Sequence, residues 1–215
     1  MRSGFVALAG RPNVGKSSLT NAIVGQKVTI VSPRPQTTRH EIRGMLTTAT
    51  SQLILVDTPG VHKPKTAMGK RLNRTAKEAR EDTDATVLVV DASKGVGGPG
   101  DARLMAAMPD DVIVAINKID RLPQEQVLAA IKDASSLARR FEKGSVEFFP
   151  ISARTSQGVP ELTEHLIGRL PPGPLWYPED QVRDTGEGFW VAELVREQLL
   201  ATAREELPHS IATRC

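Results

Sequence analysis

The feature that most constrains this chain is the stretch GRPNVGKS at residues 10–17, between an apolar run at 5–9 and a helical pattern at 17–24. A strand, a glycine-rich loop and a helix in that order form the setting in which G-x-x-x-x-G-K-S/T indicates a phosphate-binding loop. The glycines allow a tight turn with inward-pointing N–H groups, and the helix N-terminus adds partial positive charge. We expect Lys16 to reach the β- and γ-phosphates of a nucleotide, and the Ser17 hydroxyl to bind Mg²⁺. The candidate phosphate-binding residues are Asn13, Val14, Gly15, Lys16, Ser17 and Ser18.

Short hydrophobic runs rich in β-branched residues recur along the chain, separated by segments with helical periodicity. The runs are apolar almost throughout, which is typical of strands buried on both faces. The sequence therefore predicts an α/β fold of the P-loop NTPase type, with a doubly wound, mostly parallel sheet and helices on both faces. The predicted strands are 5–9, 41–48 (at an edge), 53–56, 86–90, 112–116 and 146–151. The predicted helices are 17–24, 70–81, 101–107, 124–141, 160–169 and 189–206.

A proline-rich stretch at 171–174 predicts a domain boundary, because proline cannot continue a helix. It separates an α/β domain at 1–170 from a mostly polar linker at 171–188. A smaller segment at 189–215 follows, with one helix and the start of a strand.

The composition, 40% hydrophobic and 25% charged, is that of a soluble globular protein, and no apolar run approaches the length of a membrane span. The one cysteine, Cys215, excludes an internal disulfide, so we expect a cytoplasmic protein. A net charge of +3 is too small to indicate nucleic-acid binding by itself.

The stretch DTPG at 57–60 follows the predicted strand at 53–56. A carboxylate at the carboxyl end of a buried parallel strand lies where such sheets bind ligands, so Asp57 is a candidate to hold Mg²⁺ through a water. The Gly60 amide is a candidate donor to the γ-phosphate. A simple strand-ending turn is the alternative, since these residue types also favour turns.

The stretch NKID at 117–120 follows the predicted strand at 112–116 and is a candidate base-selecting loop. The Asp120 carboxylate can accept hydrogen bonds from the N1–H and the exocyclic amine of guanine, an arrangement that adenine lacks. Asn117 can tie this loop to the phosphate-binding loop, and the Lys118 stem can cover the base. A solvated polar turn is the alternative for an isolated motif of this kind.

Two weaker patterns complete the candidate site. Ser152, Ala153 and Arg154 follow the last predicted strand, and their backbone amides are candidate partners of the guanine O6. The polar stretch QTTR at 36–39 offers a threonine whose hydroxyl could bind Mg²⁺ and whose amide could reach the γ-phosphate. We choose Thr38 over Thr37, although spacing alone does not decide, and an ordinary threonine-rich loop is the alternative.

Taken together, GRPNVGKS, TTR, DTPG, NKID and SAR resemble the signature set of translation-factor-class GTPases. The longer stretches PRPQTTRHEIRG, VDTPGVHKPK and WYPEDQVRDTGEGFWVAELVREQLL, with the later ELPHS, resemble the Era family of ribosome-assembly GTPases more closely than its relatives EngA and MnmE. The resemblance covers essentially the whole chain. It implies GTP or GDP and Mg²⁺ as ligands, Lys16, Thr38 and Gly60 as catalytic residues, and Ser17, Thr38 and Asp57 as the metal site.

For the reaction, the resemblance implies slow intrinsic hydrolysis, because Val61 stands where Ras-like enzymes have a water-orienting glutamine. Asn13 matches a position that holds a potassium ion against the phosphates in MnmE, so K⁺ is a further candidate ligand. His62 and Lys63 are expected to be solvated rather than catalytic. A module that binds GTP with little turnover is one alternative, and a P-loop ATPase or kinase, which NKID argues against, is another.

The implied partners are small-subunit ribosomal RNA and the 30S precursor, with peripheral membrane association; the oligomeric state is left open. Era-like proteins carry a KH domain after the G domain, and 189–215 resembles only its first helix and the start of a strand. The GXXG loop that clamps nucleic acid does not occur after Gly188, so we expect these residues not to bind RNA as a complete member would. We expect the apolar face of the helix to dock on the G domain, pair with another chain or stay partly disordered, and removal of everything after Leu170 to leave GTP binding unchanged.

Overall fold

The computed structural model describes residues 1–34, 37–59, 83–202 and 213. Within these ranges helices are interspersed among the strands along the chain, as in a doubly wound fold. The strands are β1 (Arg2–Gly10), β2 (Ile42–Thr47), β3 (Ser51–Asp57), β4 (Ala85–Asp91), β5 (Asp111–Asn117) and β6 (Ser145–Pro150). The helices are α1 (Lys16–Val24), α2 (Pro99–Ala106), α3 (Gln124–Arg140), α4 (Val159–Arg169) and α5 (Glu187–Thr202), with 3₁₀ turns at Ala92–Lys94 and Ile119–Arg121.

The strands form a 6-stranded sheet in the order β2-β3-β1-β4-β5-β6. Neighbouring strands run parallel, except that β2 is antiparallel to β3 at the edge. The chain builds outward from β1 in both directions, first to β3 and then to β4. The carboxyl end of β1 is therefore the switch point at which open α/β sheets bind ligands.

Helices cover both faces of the sheet. On one face α1 and α4 contribute Leu19, Ile23, Leu162 and Leu166 to a core with residues of β1 and β3. On the other face α2 and α3 pack on β4 and β5. All residues of β3 are buried, as expected for a strand covered on both sides.

The predicted P-loop α/β fold is confirmed, and each predicted strand is present. Helix α2 begins at Pro99 rather than at the predicted residue 101, because proline suits the first turn of a helix. Three predictions lie outside the described residues. They are the helix at 70–81, the end of the last helix at 206, and the start of a strand at 209–215, of which only Thr213 is described.

The chain after α4 returns along the sheet. The Gln52 side chain accepts a hydrogen bond of 2.8 Å from the Trp176 amide, and the Met45 amide donates at 2.9 Å to the Val182 carbonyl. An antiparallel bridge between Gly44 and Arg183 places residues 182–184 along the outer edge of β2. The segment predicted as a polar linker therefore makes ordered contacts with the sheet.

Helix α5 docks on the α/β domain, one of the alternatives expected from the sequence, but with its charged side. Glu193, Arg196 and Glu197 are buried, whereas the apolar side chains Val191 and Val195 are 47% and 48% exposed. Among the described residues, no helix is both long and apolar enough to cross a membrane.

Candidate nucleotide-binding site

The loop between β1 and α1 has the backbone geometry of a phosphate cradle. Gly15 has φ 102° and Asn13 has φ 63°, both in the left-handed region that turns the chain sharply. A Cβ on Gly15 would collide with the side-chain amide of Asn117, and one on Gly10 would lie 2.6 Å from the Val89 carbonyl oxygen. The glycines are therefore required by close packing as well as by the turn.

Lys16 places a buried cation in this cradle. The residue is 6% exposed, and within the part of the chain that the structure describes its ammonium makes only long hydrogen bonds, 3.3 Å to the Gly10 carbonyl and 3.4 Å to the Arg11 carbonyl. Burial lowers the pKa of Lys16 from 10.5 to about 8, against the opposing effect of the Asp57 carboxylate. An anion bound in the cradle would stabilise this charge.

Three oxygen-bearing side chains meet beside Lys16. The Ser17 hydroxyl donates to Asp57 Oδ2 at 2.7 Å and lies 2.9 Å from the Thr38 hydroxyl. Asp57 Oδ1 is buried and has no hydrogen-bond partner among the described residues. Burial raises the pKa of Asp57, although Lys16 and the neighbouring hydroxyls oppose the rise. Carboxylate and hydroxyl oxygens with an unsatisfied acceptor fit a hard cation such as Mg²⁺.

The structure distinguishes the two threonines between which spacing could not decide. The Thr38 hydroxyl points to Ser17, whereas the Thr37 hydroxyl donates at 2.8 Å to the Arg34 carbonyl. Thr38 therefore joins the corner formed by Ser17 and Asp57.

The NKID stretch is tied to the phosphate loop and to the last strand. The Asn117 amide nitrogen donates to the Val14 carbonyl at 2.8 Å, and its oxygen accepts from the Ala153 amide at 3.0 Å. The Lys118 ammonium donates to the Asn13 carbonyl at 2.6 Å. Asn117 thus ties NKID to the phosphate loop, as expected, and also to the turn after β6.

The carboxylate of Asp120 is held from two sides. Ser152 donates to Oδ1 at 2.7 Å and Arg154 Nε donates to Oδ2 at 3.0 Å. The hydrogen bond from Ser152 is the main cause of a lowered pKa of Asp120, and Arg154 adds to it, while burial opposes it. The carboxylate is therefore kept ionised and can accept hydrogen bonds. Sequence reasoning considered only the backbone of 152–154 and missed both side chains.

Asp91, at the end of β4, is a second residue that sequence reasoning missed. Its buried carboxylate pairs with Lys118 Nζ at 2.6 Å and accepts from the Ser93 hydroxyl at 2.6 Å. Burial opposes its ionisation, but the hydrogen bonds from Lys118 and Ser93 outweigh burial and lower the pKa of Asp91. An acidic residue ending a buried strand next to β1 was the available signal.

Many of these groups line two adjoining cavities, of about 370 Å³ and about 530 Å³, which share lining residues and form one cleft. We call the first cavity the phosphate end; it is lined by Thr38 and by most of residues 12–18. We call the second cavity the base end; its lining includes Asn117, Asp120 and Ala153. Gly15, Ser18 and Lys118 line both. The cleft can hold an elongated anionic ligand with a planar group at the base end.

Most sequence-predicted site residues meet in this cleft. Asn13 lines the phosphate end, and its amide nitrogen donates at 2.6 Å to the Pro33 carbonyl. Gly60, Val61, His62 and Lys63 lie outside the described residues.

Comparison with known proteins agrees with this geometry. Residues 5–118 match the family model described as a 50S ribosome-binding GTPase. GTPase Era from Mycobacterium sp. (strain KMS) is 45% identical over 98% of this chain and 71% of its own length. GTPase Era from Mycolicibacterium paratuberculosis is 46% identical over the same shares.

Two crystal structures of Era are similar throughout the chain. One, in complex with MgGDPNP and nucleotides 1506–1542 of 16S ribosomal RNA, has a TM-score of 0.87 and 35% identity, covering 98% of this chain and 70% of the other. The other, an Aquifex aeolicus variant bound to GDP·AlF4⁻, has a TM-score of 0.84 and 34% identity, covering 98% and 71%.

Proposed function

This chain belongs to the Era family of GTPases, and on that basis we propose that it is a GTP-hydrolysing switch in assembly of the small ribosomal subunit. The observation that carries the proposal is the cleft lined by the phosphate loop, Thr38 and the polar residues of NKID, with Asp57 hydrogen-bonded to Ser17 at its phosphate end. A guanine nucleotide fits this arrangement from its base to its phosphates.

At the base end, Asp120 would accept hydrogen bonds from the guanine N1–H and exocyclic amine. Each carboxylate oxygen can accept more than one hydrogen bond, so the bonds from Ser152 and Arg154 leave capacity for the base. The Ala153 amide already bonds to Asn117, which keeps the 152–154 turn against the base end. Selection of guanine over adenine follows from the acceptor-only chemistry of Asp120.

At the phosphate end, the backbone N–H groups of residues 13–18 and the Lys16 ammonium would bind the β- and γ-phosphates. Ser17, Thr38 and Asp57 would hold Mg²⁺, whose charge would offset the negative charge of the phosphates. The unpartnered Asp57 Oδ1 supports this assignment, since it is an acceptor with no donor among the described residues.

Other parts of the proposal depend on the family resemblance. We assign the Gly60 amide to the γ-phosphate, and a potassium ion to Asn13, whose oxygen is the atom able to bind it. We keep 1–170 as the G domain, 171–188 as the linker and 189–215 as the beginning of a KH-type module.

Ribosomal RNA, the 30S precursor and a cytoplasmic location are proposed from the relative crystallised with 16S ribosomal RNA. Peripheral membrane association stays a prediction from the resemblance.

A multiple-turnover assay tests the proposal. We expect phosphate release from GTP but not from ATP, with ATP unable to compete for binding even in large excess. The alternative, a module that binds without turnover, has less support because relatives of this family are GTPases and one was crystallised with GDP·AlF4⁻. Binding of GTP with no phosphate release above the rate of a Lys16→Ala control would favour that alternative.

A further inference from the structure

Helix α5 lies against the stretch of chain that brings Thr38 to the corner formed by Ser17 and Asp57. We call residues 27–34 and 37–38 the Thr38 segment. It contains no described helix or strand, so its position depends on contacts made from outside. The hydrogen bonds and the ion pair that join α5 to this segment come from successive turns of the helix.

The first of these contacts involve Glu197 and Leu200. The Glu197 carboxylate pairs with Lys27 and accepts a hydrogen bond of 3.0 Å from the Val31 amide. Arg34 Nε donates at 2.9 Å to the Leu200 carbonyl. These bonds hold the beginning and the middle of the Thr38 segment.

Arg196 makes the contact nearest to Thr38. Its side chain is 2% exposed, and its Nε donates to Glu193 Oε1 at 2.7 Å, one turn earlier on the same helix. A buried guanidinium is tolerated when it is paired and hydrogen-bonded, and Glu193 provides that pairing. The same guanidinium then donates at 2.7 Å to the Thr37 carbonyl.

The Thr37 carbonyl and the Thr38 N–H belong to one planar peptide unit. A bond that holds this carbonyl therefore fixes the direction of the Thr38 N–H, and limits where the Thr38 hydroxyl can lie. Under the proposed function, that N–H donates to the γ-phosphate and that hydroxyl binds Mg²⁺. Arg196 touches neither ligand, but it orients the residue that does.

We propose that Arg196 is a positioning residue for the triphosphate state, and that α5 holds the Thr38 segment ready for GTP but not for GDP. The inference rests on the proposed function, since it assigns Thr38 to the γ-phosphate and Mg²⁺. Coupling between two sites is reciprocal, so GTP should also strengthen the docking of α5. This changes the expectation that residues after Leu170 do not affect GTP binding, because a chain cut there lacks Arg196.

The test compares Arg196→Gln combined with Glu193→Gln, Arg196→Lys, and the full chain. The double variant removes the contact with Thr37 without leaving a buried unpaired Glu193. Arg196→Lys keeps a cation beside Glu193, but cannot supply the same fork of donors to Glu193 and Thr37. Arg183→Gln is the matched control, because Arg183 lies over the Trp190 ring and pairs with the exposed Glu187.

Dissociation constants are measured for GDP and for a non-hydrolysable GTP analogue, each over a titration of Mg²⁺. We expect the double variant to bind the GTP analogue about tenfold more weakly, a typical coupling between sites, and Arg196→Lys to show a smaller loss. Binding of GDP should stay within about twofold, and Arg183→Gln should match the full chain for both nucleotides. The Mg²⁺ concentration needed for half-maximal GTP binding should rise in parallel.

Equal weakening of GDP and GTP would show a merely structural role for Arg196 and overturn the inference, as would no change in either constant. Thermal unfolding without nucleotide shows whether each variant folds. If the double variant does not fold, two other variants carry the test: Arg196→Lys, and Glu197→Gln, which weakens the contact with Lys27 and Val31. Each must weaken binding of the GTP analogue more than binding of GDP. A full chain that binds GDP and GTP but does not hydrolyse GTP would contradict the proposed function and leave this inference standing.

Discussion

The base end and the phosphate end of the cleft are built in different ways. At the base end Asn117 donates to the Val14 carbonyl and Asp120 accepts from Ser152. Lys118, which lines both ends, is paired with Asp91. At the phosphate end, counting only contacts among the described residues, Lys16 has long hydrogen bonds alone and Asp57 keeps an unpartnered oxygen.

This difference indicates which end of the cleft already has its polar groups in place before a ligand binds. A paired polar network is held rigid, so under the proposed function the base end would select guanine without rearrangement. Buried charged groups with few or long hydrogen bonds destabilise the protein until a ligand provides further partners. Under the same proposal, base selection would be a property of the fold, whereas phosphate binding would relieve an unfavourable arrangement.

The greatest loss of GTP affinity is expected from a substitution at the base end. Asp120→Asn should weaken GTP binding by at least about a hundredfold, because two hydrogen bonds to a charged group are worth about 1.5–3 kcal/mol each. Xanthosine triphosphate should bind better than GTP, since the amide can donate to the carbonyl that replaces the guanine amine. Competition titrations measure both. Asp110→Asn, at an exposed carboxylate, is the control, and unchanged GTP affinity in Asp120→Asn would refute the assignment.

The next prediction concerns the buried, poorly partnered charge of Lys16 and how it makes protein stability depend on pH. Because the pKa of Lys16 falls from 10.5 to about 8 in the folded protein, the unfolded chain binds the extra proton between these values. The free energy of unfolding should therefore rise with pH from about 8 to about 10.5, by at most about 3 kcal/mol. Urea unfolding of the nucleotide-free protein across this range measures the rise.

Lys16→Met is the matched control for the pH experiment, because it lacks the titrating group and should show no such rise. Bound nucleotide should also suppress it, since the phosphates keep Lys16 protonated. Parallel pH profiles for the parent and Lys16→Met would contradict the description of Lys16 as a buried, poorly partnered cation.

A smaller loss of nucleotide affinity is expected when Asp91, the partner of Lys118, is changed. Asp91→Asn removes the ionic partner of Lys118 and should weaken nucleotide binding by about fivefold, or about 1 kcal/mol. GTP and GDP should lose the same factor, because they share the base. Isothermal titration with each nucleotide checks this, and a loss confined to GTP would place Asp91 with the phosphate end instead.

The smallest expected effect concerns hydrolysis. Val61 has no group that can orient water, so Val61→Ala should change turnover by no more than about threefold, the usual range for replacing a side chain without polar function. Steady-state phosphate release measures it, with Thr38→Ala as a variant expected to lose activity. A loss of several hundredfold in Val61→Ala at unchanged affinity would reveal a catalytic role for Val61.

Sequence reasoning predicted the parts of the fold and site that are local. The apolar runs located the strands, and the motifs at their ends located the phosphate loop, Asp57 and NKID, since parallel strands end at one edge. The choice of Thr38 depended on which hydroxyl the folded chain turns inward. That direction has no signature in the spacing of two adjacent threonines.

What could not be predicted involves contacts between distant parts of the chain. Arg196 and Thr37 lie 159 residues apart, and an amphipathic helix suggests burial of its apolar side rather than of Arg196. The side chain of Arg154 reaches Asp120 only because β5 and β6 are neighbours in the sheet. Such contacts follow from tertiary geometry, which residue patterns do not contain.

The return of residues 182–184 along β2 also protects the protein from self-association. An edge strand offers unpaired N–H and C=O groups that can template pairing with another chain. Here the Met45 amide is occupied by the Val182 carbonyl, and the Arg43 amide donates to the Asp184 carboxylate at 3.0 Å. Residues 182–184 thus act as a cover that keeps a hydrophobic sheet from extending into a neighbouring molecule and aggregating.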